Sequence, residues 1–67
     1  MAKDGIALTR REQDVLRLLM RGLRNAEIGR KLGIREQTVK DHVSVLLEKF
    51  GARSRVELVV LATKFSW

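Results

Sequence analysis

Asp41, His42 and Ser44 bring a carboxylate, an imidazole and a hydroxyl close together, the three groups of a hydrolytic triad. The apolar residues among and after them, Val39, Val43, Leu46 and Phe50, recur at intervals of four, three and four, the spacing of a helix with one inward face. Side chains one and two apart on a helix point in different directions, so these three cannot link nucleophile to base to orienting acid. His42 reads instead as a part-buried hydrogen-bonding residue. A single histidine in a chain without cysteine offers no metal site, and neither a cofactor nor an enzymatic activity is expected. The same helix gathers a different set on its other side: Gln37, Lys40, Asp41, Ser44 and Glu48. Their chemistry matches nucleobase edges, since Lys40 can donate to guanine O6 or N7, Gln37 can pair with adenine and Asp41 can accept from cytosine N4. The competing reading of Asp41 is a surface partner for a residue one turn away.

The elements that must position this face can be read from caps and apolar spacing. Thr9 followed by Glu12 fits a capping box, so a first helix is expected over 10–21, with Val15, Leu16 and Leu19 inward and Leu18 widening the stripe. Gly22 then stops it. Asn25 is a suitable N-cap for a second helix over 26–32, with Glu27 in its first turn and Ile28 and Leu32 buried. Gly33 and Ile34 make the short turn into a third helix, 36–50. Two short helices around a glycine-containing turn are the spacing of a helix-turn-helix.

Ser54 with Glu57 predicts a second capping box and a fourth helix over 55–64. Here Leu58, Leu61, Ala62 and Phe65 form one apolar stripe, and Val56, Val59, Val60 and Thr63 form another. A helix apolar on two sides has two packing partners. One stripe closes the core, and the other is left for a second subunit, unless the helix is fully buried in the monomer. Phe65 and Trp67 would then anchor the chain's end.

The 67 residues suffice for one domain, an all-α, compact four-helix fold with a central helix-turn-helix and a flexible lead-in over 1–7. A deep catalytic cavity is not expected at this size. Fourteen Lys and Arg against eight Asp and Glu give a net charge of +6, which favours an anionic partner over a merely soluble basic surface. Without cysteine there is no disulfide framework, and no apolar run approaches the roughly 20 residues that cross a bilayer. No membrane partner is expected, and the cytoplasm is the expected location.

Several segments together resemble the LuxR/GerE-type DNA-binding domain, also the output domain of NarL/FixJ-type response regulators. They are Leu8-Thr9-Arg10-Arg11-Glu12, Val15-Leu16 with Gly22-Leu23, Asn25-Ala26-Glu27-Ile28, Leu32-Gly33-Ile34, Thr38-Val39-Lys40-Asp41-His42, and Lys49-Phe50-Gly51-Ala52-Arg53-Ser54-Arg55. Region 4 of a bacterial sigma factor looks similar from Leu8 to Lys40. It separates at His42, at the Lys49-Phe50-Gly51 turn and at the Ser54-Arg55 cap.

The resemblance implies a transcriptional regulator that binds double-stranded promoter DNA as a homodimer, with RNA polymerase as a further partner. The third helix would enter the major groove while the second crosses the backbone. Base contacts would then fall to Gln37, Lys40, Asp41 and Ser44. Backbone contacts would fall to Arg24, Asn25, Arg35, Thr38, Lys49, Arg53 and Arg55, and the dimer interface to Val56, Val59, Val60 and Thr63. Three positions depart from the family's pattern. Arg35 stands where a capping residue usually opens the third helix, and cannot accept an amide hydrogen bond, but adds a cation toward phosphate. Asp41 and Ser44 stand where relatives often carry apolar or basic residues, which implies a different base preference. The alternative is a helical module that binds another protein through its valine strip or basic face. The lack of a sensing domain in this length leads us to expect an excised output domain over a small stand-alone regulator.

Overall fold

The first helix opens as its capping box requires: the Thr9 hydroxyl accepts from the Glu12 amide at 3.1 Å, and the Glu12 carboxylate accepts from the Thr9 amide at 3.0 Å. The computed structural model describes residues 6–64. They form α1 (Arg10–Met20), α2 (Asn25–Leu32), α3 (Glu36–Phe50) and α4 (Arg55–Ala62). The expectations for Phe65, Trp67 and the first five residues of the lead-in lie outside the described residues. None of the helices is long and apolar enough to cross a membrane.

Gly33 closes α2 in the left-handed region, at φ +70°, where a side chain would be strained. The Ile34 amide reaches back to the Gly29 carbonyl at 2.9 Å, which turns the chain directly into α3. The same reach-back closes α1, from Leu23 to Leu18, and α3, from Ala52 to Leu47. Gly29 has a second reason to lack a side chain. A Cβ there would lie 2.8 Å from the Ile34 carbonyl oxygen, so the turn can fold onto α2 only over a bare Cα.

Val15, Leu16 and Leu19 of α1, Ile28 of α2, Val39, Val43 and Leu46 of α3, and Leu58 and Ala62 of α4 form one core. The larger of these side chains each contribute roughly 1.5–3 kcal/mol when fully buried. Because α3 packs against all three other helices, its inward face is the fold's centre and its outward face is fixed in direction.

Three expected boundaries are corrected. The first helix ends at Met20 with Arg21 as its cap, so it is one residue shorter than expected. Asn25 is the first residue of α2 and not its N-cap: the Glu27 carboxylate accepts from the Arg24 amide at 2.7 Å, three residues back, which puts Arg24 at the cap. The fourth helix ends at Ala62, with Thr63 and Lys64 in a turn. Its capping box is also half-formed. Ser54 Oγ accepts from the Glu57 amide at 3.1 Å, but the Glu57 carboxylate turns to the Arg53 amide at 2.6 Å.

Candidate nucleic-acid interface

On α3, Gln37, Lys40, Asp41, Ser44 and Glu48 are all exposed, opposite the buried Val39, Val43 and Leu46. A helix rises about 1.5 Å per residue, so Gln37 to Ser44 spans about 10 Å, or about three base-pair steps. Gln37 Nε2 donates to Asp41 Oδ1 at 3.2 Å, the one-turn surface pairing that Asp41's position allows. A carboxylate has several lone-pair sites, so this bond leaves Asp41 further acceptor capacity. Lys40 and Ser44 make no side-chain bond among the described residues. His42 is half-buried and likewise makes none, which corrects the expectation of a hydrogen-bonding role. Among the described residues, no cluster of His, Cys, Asp and Glu could hold a metal ion.

The seven residues expected at the DNA backbone divide into two groups. Arg24 and Arg35 are exposed N-caps without a side-chain capping bond, and neither side chain is engaged elsewhere among the described residues. Thr38 is half-buried on the first turn of α3. The Arg53 side chain is 90% exposed and touches Glu57 only at 3.4 Å, a surface contact of small energy. Arg24, Asn25 and Arg55 line one depression together with Glu36, so the starts of α2, α3 and α4 converge there.

Lys49, Arg55 and Asn25 behave differently, because their polar groups are engaged within the protein. Lys49 Nζ donates to Glu12 Oε1 at 2.7 Å and to the Ala7 carbonyl at 2.9 Å, tying the end of α3 to the start of the chain. Glu12 is only 6% exposed. Burial pushes its carboxyl upward, but the Lys49 ammonium and the Thr9 amide and hydroxyl outweigh that, holding it below its ordinary value of 4.5. Arg55 is half-buried, and its guanidinium donates to Asn25 Oδ1 and, at 2.5 Å, to the Leu23 carbonyl.

The residues of the second valine stripe of α4 differ in exposure. Val56 is 73% and Val60 53% exposed, one turn apart, and Thr63 is exposed with its hydroxyl on the Val60 carbonyl at 2.6 Å. Val59 is half-buried against the core, so it is not part of a free strip as expected. Glu12 as an internal anchor and Gly29 as the site of close approach were not anticipated in these roles. No pattern within one helix reveals a pair 37 residues apart, and Gly29 lacks the end-of-helix position that marks Gly22, Gly33 and Gly51.

The model for bacterial regulatory proteins of the luxR family matches residues 6–62. The nitrate/nitrite response regulator NarL of Escherichia coli K12 is 48% identical over 58 residues, covering 87% of this chain and 27% of NarL. The transcriptional regulatory protein DegU of Brevibacillus brevis is 47% identical over 60 residues, covering 90% of this chain and 25% of DegU. The chain therefore spans about a quarter of the length of these relatives. Among solved structures, the Vibrio cholerae VqmA dimer without its target DNA, a LuxR-type receptor, matches with a TM-score of 0.87 at 38% identity. That match covers 94% of this chain and 28% of the VqmA chain.

Proposed function

The chain belongs to the luxR family of bacterial regulatory proteins, and from that premise we propose that it binds promoter DNA sequence-specifically by laying α3 in the major groove. The observation that carries this reading is the uncovered polar face of α3, held outward by a helix whose other side is the centre of the core. Lys40, Gln37, Asp41 and Ser44 supply donors and acceptors for base edges, and a good bidentate contact discriminates by about 1–3 kcal/mol. Arg24, Arg35 and Arg53 supply backbone cations with Thr38 beside them, and the uncapped start of α2 offers free amides to phosphate.

VqmA is described as a dimer with a target DNA. By analogy two copies of this chain pair through Val56 and Val60, with Thr63 and the outer edge of Val59 at the margin. Two domains so joined read two half-sites and, in the cytoplasm, act on RNA polymerase at the promoter. The family's function is transcription regulation, and the domain is not read as an enzyme.

The experiment is binding to promoter-containing genomic fragments across a salt series. Selection of particular fragments, with log affinity falling by about 0.9 per log unit of salt for each phosphate neutralised, supports the reading. Absence of binding at low salt rejects it. It would leave the second reading, a protein-interaction module, for which the exposed Val56 and Val60 are the observation in favour.

A further inference from the structure

Arg55 opens α4, and a cation at a helix N-terminus is disfavoured by the helix dipole. The placement is offset by two oxygens distant in sequence, Asn25 Oδ1 and the Leu23 carbonyl, 30 and 32 residues away. Both acceptors are neutral, so the contact fixes geometry without cancelling the charge. The acceptors belong to the α1–α2 connection and to the first residue of α2.

Among the described residues the backbones of α2 and α4 do not approach one another closely, and the Arg55–Asn25 hydrogen bond links the two helices directly at their starts. At the same end of α2 the amides of Asn25, Ala26 and Glu27 have no side-chain cap, because Arg24 has no acceptor to offer and the Glu27 carboxylate takes only the Arg24 amide. Where those amides point depends on what holds the first turn of α2. Arg55 holds it.

We infer that Arg55 is a positioning residue for DNA binding, acting through Asn25 and the Leu23 carbonyl to aim the start of α2 at the DNA backbone, and is not itself a phosphate contact. This rests on the DNA-binding reading above. The guanidinium suits the task because its planar fork meets two acceptors at fixed angles, whereas a lysine ammonium is a point charge on a flexible stem.

The test measures affinity for sheared double-stranded genomic DNA across a salt series, below the melting temperature of each protein. The proteins are the native chain, Arg55→Ala, Arg55→Lys, Asn25→Ala and the Arg55→Ala, Asn25→Ala double variant. Both Arg55 variants are expected to bind about tenfold more weakly, with an unchanged salt slope because neutral amides release no counterions. The double variant is expected to bind no worse than Arg55→Ala, since the two residues act as one unit.

Restoration by Arg55→Lys, or a slope lowered by about 0.9 in Arg55→Ala, would make Arg55 a phosphate contact and overturn the inference. Unchanged affinity with a lower melting temperature would make it a purely structural bond, and would also overturn it. Should Arg55→Ala fail to fold, Arg55→Lys and Asn25→Ala carry the same comparison. A native chain that binds no DNA at any salt fails differently, since it removes the DNA-binding reading itself.

Discussion

Lys40 and Lys49 sit nine residues apart on one helix, and both look like DNA contacts in the sequence, yet the fold treats them oppositely. Lys40 stands exposed with Gln37, Asp41 and Ser44, and its ammonium has no partner among the described residues. Lys49 is held by the buried Glu12 and the Ala7 carbonyl. Arg35 and Arg55 repeat the contrast, one free at a cap and the other bonded to Asn25 and Leu23. A cation's role follows from whether its donors are already engaged, and the engaged set here orients the elements from which the free set projects.

The engaged set is broken most severely at Glu12. Glu12→Ala removes the reciprocal cap of α1 and leaves Lys49 without its anion, and is expected to cost about 2–4 kcal/mol. In a domain of this size that lowers the melting temperature by more than about 8 °C, readable by circular dichroism. A variant as stable as the native chain would dissolve the contrast.

The pH dependence sharpens it. Burial alone would raise the Glu12 carboxyl, but the Lys49 ammonium and Thr9 hold it below 4.5, so the folded state favours the charged form. Its contribution to stability is therefore full above that ordinary value and is lost as pH falls through the lower folded one. Acid unfolding of the native chain should show this loss, and Glu12→Ala should lack that part of the dependence.

Much of the scaffold was legible because helix caps and apolar spacing are local signals. Thr9 with Glu12, the glycine after each of the first three helices and the stripe from Val39 to Phe50 locate α1, α2 and α3 to within a residue or so. The errors arose where two local solutions compete. Arg24 and Asn25 could each begin α2, and the Glu27 carboxylate decides it by reaching the Arg24 amide. Glu57 likewise prefers the Arg53 amide to that of Ser54.

At the site, the outward face of α3 followed from periodicity alone. The partners of Lys49 and Arg55 did not, because Glu12, Ala7, Asn25 and Leu23 meet them only after the chain has folded back on itself. Gly29 was silent for the same reason, since its need for a bare Cα comes from the Ile34 carbonyl across the turn.

The free set should respond in binding and not in stability. Lys40→Ala is expected to lose about 1–3 kcal/mol of discrimination between a selected fragment and bulk DNA, with an unchanged melting temperature. Competition binding would read it, and a drop in stability without loss of discrimination would place Lys40 in the structural group. The smallest expected effect is at Arg35. Arg35→Ala should lower the salt slope by about 0.9 and change folding stability by no more than about 0.5 kcal/mol. An unchanged slope would remove Arg35 from the phosphate contacts.

The most direct measurement compares fragment selection by the native chain, by Lys40→Ala, Asp41→Ala, and by Lys49→Ala, each at several salt concentrations. The outward face of α3 as the reading surface predicts that the first variant stays folded and loses selection. Lys49→Ala, by contrast, should melt earlier and keep both selection and salt slope. Retained selection in the Lys40, Asp41 variant, or loss of selection and slope in Lys49→Ala alone, would contradict the division between free and engaged cations.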